Sequence, residues 1–236
     1  MSDDRRNETQ LLSDILGLES LVDEITSKLL GSSTTETPSA ILGPFYRRDS
    51  PLFPNGSSIV SGLTPAAPWY DKAIADSAFI HGTVLSNPPG GKGAPAPLPG
   101  AVVDVWHTAP NGLYEQQDAS QLDMNLRGRF TTDASGRYAL YALRPVAYPV
   151  PQDGPAGKLL KLLDRHAFRP SHVHFVVTAA GHRPLTTQVF DRADEYLSED
   201  AVFAVKEELI VDFVPREGDP QAKWELEYDF VLGAVH

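Results

Sequence analysis

The sequence Arg169-Pro170-Ser171-His172-Val173-His174-Phe175-Val176-Val177 begins with polar residues and continues as an apolar, β-branched run. Such runs favour strands, and Pro170 is tolerated at the start of a strand, where its missing N–H costs nothing. Residues i and i+2 of a strand point to the same face, so His172 and His174 would project together. The stretch therefore predicts a strand with two imidazoles on one face and the permanent cation Arg169 beside them.

Two imidazoles on one face are half of a metal site, although a solvated strand face with a histidine pair has the same pattern. The chain contains no cysteine, which excludes thiolate zinc sites, iron–sulfur clusters and disulfides. Carboxylates and eight tyrosines remain as further ligands. Pattern alone does not choose among the tyrosines. Tyr114 and Tyr148 have loop-like neighbours, where functional groups concentrate, whereas Tyr138 and Tyr141 lie in a predicted strand, where aromatics usually pack.

Short apolar or alternating segments with turn signals between them run through the rest of the chain and predict strands. These strands are Ala78–Leu85, Val102–Thr108, Arg129–Thr132, Tyr138–Leu143, Val173–Thr178, Leu185–Phe190 and Trp224–Leu232. Short helices are predicted at Lys158–Arg165 and after Ser198, an irregular arm at 41–70, and a Pro/Gly-rich loop at 86–100. The pattern indicates a mainly β fold, an antiparallel β-sandwich core with a short N-terminal helical segment.

The N-terminal segment carries an apolar stripe with alternating spacings of four and three residues. Its members are Leu11, Ile15, Leu18, Val22, Ile25 and Leu29. This spacing predicts one amphipathic helix, or two short ones broken at Gly17, with Gly31 as the stop. The stripe suits packing on the chain's own domain and equally packing against a partner helix. We predict a helical segment over residues 1–37 and a β-sandwich domain over 38–236.

Charge and hydropathy narrow the range of partners. Acidic residues outnumber basic ones by 31 to 20, giving a net charge of −11 that repels nucleic-acid phosphates. No run approaches 18 consecutive apolar residues, and the polar N-terminus lacks the apolar core of a signal peptide. These features predict a cytoplasmic protein that binds neither nucleic acid nor membranes.

Several further motifs occur together in one order. They are Gly112-Leu113-Tyr114, Asn125-Leu126-Arg127-Gly128, Gly136-Arg137-Tyr138, Arg144-Pro145-Val146-Ala147-Tyr148 and Arg169-Pro170-Ser171-His172-Val173-His174. In this arrangement the sequence resembles the intradiol ring-cleavage dioxygenases, non-haem ferric enzymes that open catechol-type rings between the two hydroxyls. Leu185-Thr186-Thr187-Gln188 and Ile41-Leu42-Gly43-Pro44-Phe45-Tyr46 fit the same family, so the resemblance runs from about Leu11 to the C-terminus.

The resemblance implies a β-sandwich enzyme with an Fe(III) cofactor, an aromatic diol and O2 as substrates, and a defined set of site residues. By motif, the four iron ligands correspond to Tyr114, Tyr148, His172 and His174. It further implies that Tyr148 dissociates and accepts a proton, that Arg169 stabilises charge developing on the ring, and that Gln188 supports it. Phenolates are hard anionic oxygens and imidazole suits iron, so the ligand types agree with the metal.

The segment from Ile41 to Pro51 is similar to that of hydroxyquinol 1,2-dioxygenases, especially fungal ones. In the family the position of Phe45 lies beside the substrate ring, and catechol-preferring members more often carry Leu. The resemblance thus implies hydroxyquinol (benzene-1,2,4-triol) as substrate in aromatic catabolism, with 3-hydroxy-cis,cis-muconate or its tautomer maleylacetate as product. Arg47 and Asp49 are candidate partners for the third hydroxyl. Catechol, giving cis,cis-muconate, is the alternative.

Two other classes of function and one question of assembly stay open at this point. A non-catalytic β-sandwich binding module would carry the histidine pair incidentally, and a zinc hydrolase would need a carboxylate ligand and a motif such as His-Glu-x-x-His, which is absent. Relatives in the family usually begin with several more helices, which form the dimer interface. We therefore expect a homodimer through the N-terminal helix that is weakened by the shorter segment.

Overall fold

The computed structural model of the chain describes residues 2, 6–30, 35–88 and 93–235. The helices are α1 (Glu8–Ile15), α2 (Leu18–Leu29), α3 (Tyr70–Ala75) and α4 (Pro155–Leu162). The strands are β1 (Leu52–Phe53), β2 (Ser57–Ser58), β3 (Ser77–Asn87), β4 (Ala96–Pro97), β5 (Val102–Trp106), β6 (Arg127–Thr131), β7 (Arg137–Leu143), β8 (Tyr148–Pro149), β9 (Phe168–Arg169), β10 (His172–Thr178), β11 (Leu185–Asp191), β12 (Ile210–Val211), β13 (Val214–Pro215), β14 (Trp224–Glu227) and β15 (Phe230–Gly233).

Two sheets enclose the main core. One has the strand order β1-β6-β5-β10-β11-β12, and the other has the order β13-β14-β3-β7-β2, with β4 and β15 also paired to β3. Side chains of both sheets form one buried apolar cluster. Among them are Val105 and Phe175 from the first sheet and Ile80, Leu140 and Phe230 from the second. Alternation along these strands sends every second residue into this cluster. The prediction of a mainly β fold with a short N-terminal helical part is confirmed.

The expectation of purely antiparallel pairing needs correction. The central neighbours β6-β5, β5-β10, β10-β11 and β3-β7 are antiparallel. Five other pairs are parallel, namely β1-β6, β2-β7, β11-β12, β14-β3 and β15-β3. Turn signals in a sequence report only pairs joined by short local connections, which are antiparallel. Parallel pairs join segments distant in sequence, so a local pattern carries no signal for them.

The last predicted strand is divided in two at Tyr228 and Asp229. A Cβ at Gly82 would lie 1.9 Å from the Tyr228 carbonyl oxygen, so that close approach requires glycine on the neighbouring strand β3. The same carbonyl accepts a hydrogen bond from the Tyr138 hydroxyl at 2.8 Å, and the Asp229 carboxylate accepts one from the Thr83 amide at 2.7 Å. The Tyr228 amide still donates to the His81 carbonyl of β3 at 2.9 Å, so backbone and side-chain hydrogen bonds together hold this break, and β14 and β15 pair with β3 on either side of it.

Two other local predictions have different outcomes. The helix expected after Ser198 is only a 3-10 turn over Leu197–Glu199, whereas the helix expected at Lys158–Arg165 is present as α4, three residues earlier. In the predicted loop 86–100, β3 extends to Asn87 and β4 pairs with it; residues 89–92 of this loop lie outside the described part of the chain.

The N-terminal stripe forms two helices that break at Gly17, as predicted, with a left-handed φ of 70° at the glycine. The predicted stop at Gly31 lies outside the described residues, and α2 ends at Leu29. In α1, Leu11 and Ile15 are buried in a second apolar cluster that includes Leu160 of α4. In α2, by contrast, the apolar face is 48–82% exposed; its members are Leu18, Leu21, Val22, Ile25 and Leu29. The first half of the stripe packs on its own domain, and the second half does not.

Helix α2 contacts the β domain through polar side chains. Ser20 donates from Oγ to the Val202 carbonyl at 3.0 Å, and Lys206 contacts Asp23 at 2.8 Å. The Ser27 and Ser39 hydroxyl oxygens lie 2.8 Å apart, and the Glu19 carboxylate accepts from the Leu42 amide at 3.0 Å. The helix therefore turns its polar side to the protein and its apolar side outward, the reverse of an ordinary surface helix.

No helix in the described residues is long and apolar enough to cross a membrane. The cytoplasmic location and the division of the chain at residues 37 and 38 stay predictions.

Candidate metal centre

Strand β10 presents both histidines on one face at its N-terminal end. Their Nε2 atoms lie 3.2 Å apart, and both rings are buried. In the sheet, His174 stands opposite Trp106 of β5 and Gln188 of β11. The interpretation of the pair as a solvated strand face is therefore wrong, because the two rings point into the protein.

Tyr114 and Tyr148 meet the histidines from outside the sheet. Tyr114 directly precedes the 3-10 turn Glu115–Gln117, and Tyr148 opens β8, where it pairs with Arg169 of β9. The two hydroxyl oxygens lie 3.2 Å apart, and both side chains are buried. The strand tyrosines Tyr138 and Tyr141 point elsewhere, to the Tyr228 carbonyl and to Asp219.

The four rings converge. The Tyr148 and His172 ring centroids are 5.4 Å apart, and those of Tyr114 and His174 are 6.4 Å apart. Donor separations of about 3 Å fit neighbouring ligands on one ion with bonds of about 2.0–2.2 Å. No group of three or more His, Asp or Glu side chains in the described part of the chain could hold a metal by itself. Any further ligands to the histidine pair would thus be the phenol oxygens, and two phenolates with two imidazoles suit ferric iron.

The two histidines are oriented by different means. The His172 Nδ1 lies 2.6 Å from the Pro170 carbonyl oxygen and donates to it, which leaves the Nε2 lone pair facing the site. The His174 Nδ1 has no hydrogen-bond partner in the described residues. Its ring stacks on Trp106 instead, with centroids 4.7 Å apart and planes 7° from parallel. A Cβ at Gly43, where φ is +78°, would lie 3.2 Å from His174 Cε1, so the backbone at Gly43 also lies close to this ring.

Burial sets the protonation of all four groups. It lowers the pKa of His172 well below its usual range, with Arg169 as the next cause, and does the same to the pKa of His174, helped by His172 and Arg169. Both imidazoles are therefore neutral and able to ligate. Burial also raises the pKa of Tyr114 well above 10 and raises that of Tyr148. A multivalent cation at bonding distance is the kind of charge that holds such phenols ionised.

Arg169 adjoins this centre as a buried cation. Its Nη1 lies 3.0 Å from the His172 Nε2, and its Nη2 donates to the Gln188 Oε1 at 2.7 Å. Its Nε donates to the Asp200 Oδ1 at 3.1 Å. Burial alone would lower the pKa of Arg169, but its interactions with Asp200 and Tyr148 outweigh burial and raise that pKa. The guanidinium remains charged and is held at the edge of the centre.

Phe45, the predicted substrate-binding residue, packs against the centre. Its ring stacks on Tyr114 with centroids 4.6 Å apart, and it is buried. Of the two candidate partners for a third ring hydroxyl, Asp49 is exposed to solvent, and Arg47 contacts Glu115 at 2.8 Å and Asp123 at 2.6 Å. Neither side chain lies free at the site, so neither is retained as that partner.

Two residues of the site were not singled out from the sequence as functional. Trp106 stacks on the His174 ring. In the sequence, the only feature that could have identified it as part of the site is its place next to His107 in a predicted strand. Asp200 was expected in the first turn of a helix, but its carboxylate holds Arg169. His107 is buried with its Nδ1 2.8 Å from the Thr108 carbonyl, and burial lowers its pKa to about 4, which fits a structural role.

Comparisons with known proteins agree with this geometry. A family model described as "Dioxygenase" matches residues 49–234, and one described as "Catechol dioxygenase N terminus" matches residues 1–32. A catechol 1,2-dioxygenase of Candida albicans is 43% identical, over 98% of this chain and 73% of its own length. A hydroxyquinol 1,2-dioxygenase of a Rhizobium species is 37% identical, over 96% of this chain and 74% of its own.

A solved structure gives the same result for the fold. The hydroxyquinol 1,2-dioxygenase of Pseudomonas putida DLL-E4 superposes with a TM-score of 0.82 at 38% identity, and the match covers 99% of this chain and 78% of that one. That structure shares the fold of this chain, and the family models together span most of the sequence. The chain belongs to the family of intradiol ring-cleavage dioxygenases, which confirms the resemblance seen in its motifs.

Proposed function

We propose that the chain binds one ferric ion through Tyr114, Tyr148, His172 and His174 and uses it to cleave an aromatic 1,2-diol with O2. The observation that carries this proposal is the convergence of two buried phenol oxygens, 3.2 Å apart, and two buried imidazole nitrogens, also 3.2 Å apart. The charged Arg169 at the edge of the set adds a group that stabilises negative charge. A zinc hydrolase would want a carboxylate ligand, and a binding module would have no use for this arrangement.

Each residue has a separate task in the proposed reaction. When bound, the ferric ion supplies the Lewis acidity and redox chemistry through which a deprotonated diol reacts with O2. Tyr148 takes one diol proton at its phenolate oxygen, while Tyr114 remains a ligand. Arg169 stabilises negative charge that develops on the ring. This role is electrostatic, because the guanidinium stays protonated at neutral pH. Both atoms of O2 enter the diacid product, so no external reductant is consumed.

We propose hydroxyquinol as the preferred diol, giving 3-hydroxy-cis,cis-muconate or maleylacetate. Phe45 supports this choice, since catechol-preferring members of the family more often carry Leu at its position, and its ring stacks on the proposed ligand Tyr114. The second candidate is catechol, favoured by the name of the Candida albicans relative. A site that hydrogen-bonds a third hydroxyl discriminates strongly against a diol that lacks it.

The substrate proposal predicts that kcat/KM for hydroxyquinol exceeds that for catechol and 4-chlorocatechol when all three are measured side by side. A preference of at least about tenfold, or roughly 1.4 kcal/mol of transition-state stabilisation, is expected. Product identification by NMR distinguishes the diacid of intradiol cleavage from the isomeric aldehyde acid of extradiol cleavage, and the uptake of one O2 per diol checks that the enzyme is a dioxygenase. A tenfold preference for catechol would assign the enzyme to catechol instead.

We also propose that the exposed apolar face of α2 binds the same face of a second copy of the chain. Five large apolar side chains on one helix face form a continuous stripe, and a self-complementary stripe is what a two-fold dimer needs. Ile15 takes no part, because it is fully buried within its own chain.

Assembly is tested with Val22→Glu and Ile25→Glu together. A buried pair of carboxylates on each side would repel the partner, so the mass measured by light scattering is expected to fall by about half while iron content is kept. Glu24→Lys, a charge change on the same helix away from the apolar face, serves as the matched control and should leave the mass unchanged. A wild-type protein that is already monomeric at high micromolar concentration would overturn the proposal.

A further inference from the structure

Two hydrogen-bond chains run outward from Arg169, and both end at the first turn of α2. The first chain passes through Asp200, whose carboxylate oxygens accept from Arg169 Nε at 3.1 Å and from its Nη2 at 3.3 Å. The same carboxylate accepts from the amides of Val202 at 3.2 Å and Ala204 at 3.0 Å. The Val202 carbonyl in turn accepts from the Ser20 hydroxyl at 3.0 Å.

The second chain passes through Gln188. Its Oε1 accepts from the Arg169 Nη2 at 2.7 Å, and its Nε2 donates to the Ile41 carbonyl at 2.7 Å. The next residue, Leu42, donates from its amide to the Glu19 carboxylate at 3.0 Å. The two chains therefore finish on Glu19 and Ser20, neighbours in the sequence of α2.

The acceptor at Glu19 is itself supported. Gln10 of α1 donates to its second oxygen at 3.3 Å, and the buried Asp14 stands beside it. Burial raises the pKa of Asp14 to about 9, with the neighbouring Glu19 carboxylate as the next cause. At neutral pH Asp14 is therefore protonated and adds no negative charge beside the Glu19 carboxylate.

We infer that Asp200 is a positioning residue for Arg169, and that the first turn of α2, through Glu19 and Ser20, extends this positioning to the N-terminal helices. The inference rests on the proposed function, in which Arg169 acts on the reacting ring. A guanidinium is rigid and planar, so fixing its Nε and Nη2 edges leaves Nη1 aimed in one direction, toward the His172 Nε2. Neither Asp200 nor the α2 residues need to contact the substrate to set this direction.

The test is a double-mutant cycle with Arg169→Lys. Glu19→Ala combined with Ser20→Ala is expected to lower kcat by about threefold to tenfold, and Asp200→Asn by about tenfold to a hundredfold, with KM little changed. Iron content and the visible charge-transfer band should stay at the wild-type level. In the Arg169→Lys background the same changes should have no further effect on kcat, because the group that they position is gone.

Matched variants separate positioning from general support of the fold. Glu19→Gln, used in place of Glu19→Ala, keeps a side-chain oxygen that can accept from the Leu42 amide. Its kcat should therefore stay near the wild-type value. Ser27→Ala breaks the contact of α2 with Ser39, outside both chains, and should leave kcat unchanged.

An equal loss of kcat in both backgrounds, no loss in either, or a loss of iron would each overturn the inference, while the proposed function would stand. A wild-type protein that cleaves no diol overturns the proposed function and the inference with it.

Discussion

His172→Ala and His174→Ala are each expected to lose bound iron and to lower kcat by more than about a hundredfold, since removing even an outer partner of a metal ligand costs about 10–100-fold. The two Nε2 atoms lie 3.2 Å apart in a buried site, and the hydroxyl oxygens of Tyr114 and Tyr148 lie 3.2 Å apart in the same site. Iron per chain, the phenolate-to-iron colour and diol turnover measure the effect. His182→Ala is the matched control, because its ring contacts Ser86 and the Ala180 carbonyl instead.

A second readout of the same prediction does not depend on turnover. Buried Tyr114 and Tyr148 are neutral before iron binds, so loading the protein with Fe(III) should release protons into a weakly buffered solution. Tyr114→Phe should reduce that release and shift the charge-transfer band. A fully active protein that is colourless and loaded with zinc would contradict the assignment of the metal centre.

Arg169→Lys is expected to lower kcat by about 10²–10³-fold with iron retained, the usual cost of losing a preorganised charge-stabilising donor. The ammonium of lysine cannot reproduce the planar fork that contacts Asp200 and Gln188 while one amino group faces the metal centre. Steady-state kinetics with iron analysis of the same samples provides the measurement. Arg192→Lys, at an exposed pair with Asp212, is the control for the loss of a guanidinium. Unchanged kcat in Arg169→Lys would remove Arg169 from the proposed reaction.

The features of the site that could be predicted from the residues are those with local causes. The period of two along a strand places His172 and His174 together, and it needs no knowledge of the rest of the fold. Tyr114 and Tyr148 reach the same point from two loops, and no spacing rule connects them; the family resemblance identified them. Asp200 was predicted to lie in the first turn of a helix. Its partner, Arg169, lies 31 residues away in the chain, so no local pattern indicates their contact.

The same distinction between local and distant causes explains the errors in the predicted fold. The apolar stripe from Leu11 to Leu29 correctly predicted helices broken at Gly17, since that pattern is local. It could not tell which surface covers each half, because burial of Leu11 and exposure of Val22 depend on distant segments such as α4. The parallel pairs at β3 were likewise beyond prediction, since turn chemistry describes only the strands that a turn connects.

The reversed polarity of α2 gives its two sides opposite responses to salt. The contact of Lys206 with Asp23 is an ion pair on the inner side, partly open to solvent, and added electrolyte screens it. Sulfate-type salts strengthen the burial of apolar surface, so they favour contact of the outer side with another molecule. Ammonium sulfate during purification would weaken the Lys206–Asp23 ion pair while promoting association through the outer side, so kinetic comparisons between preparations need a constant ionic strength.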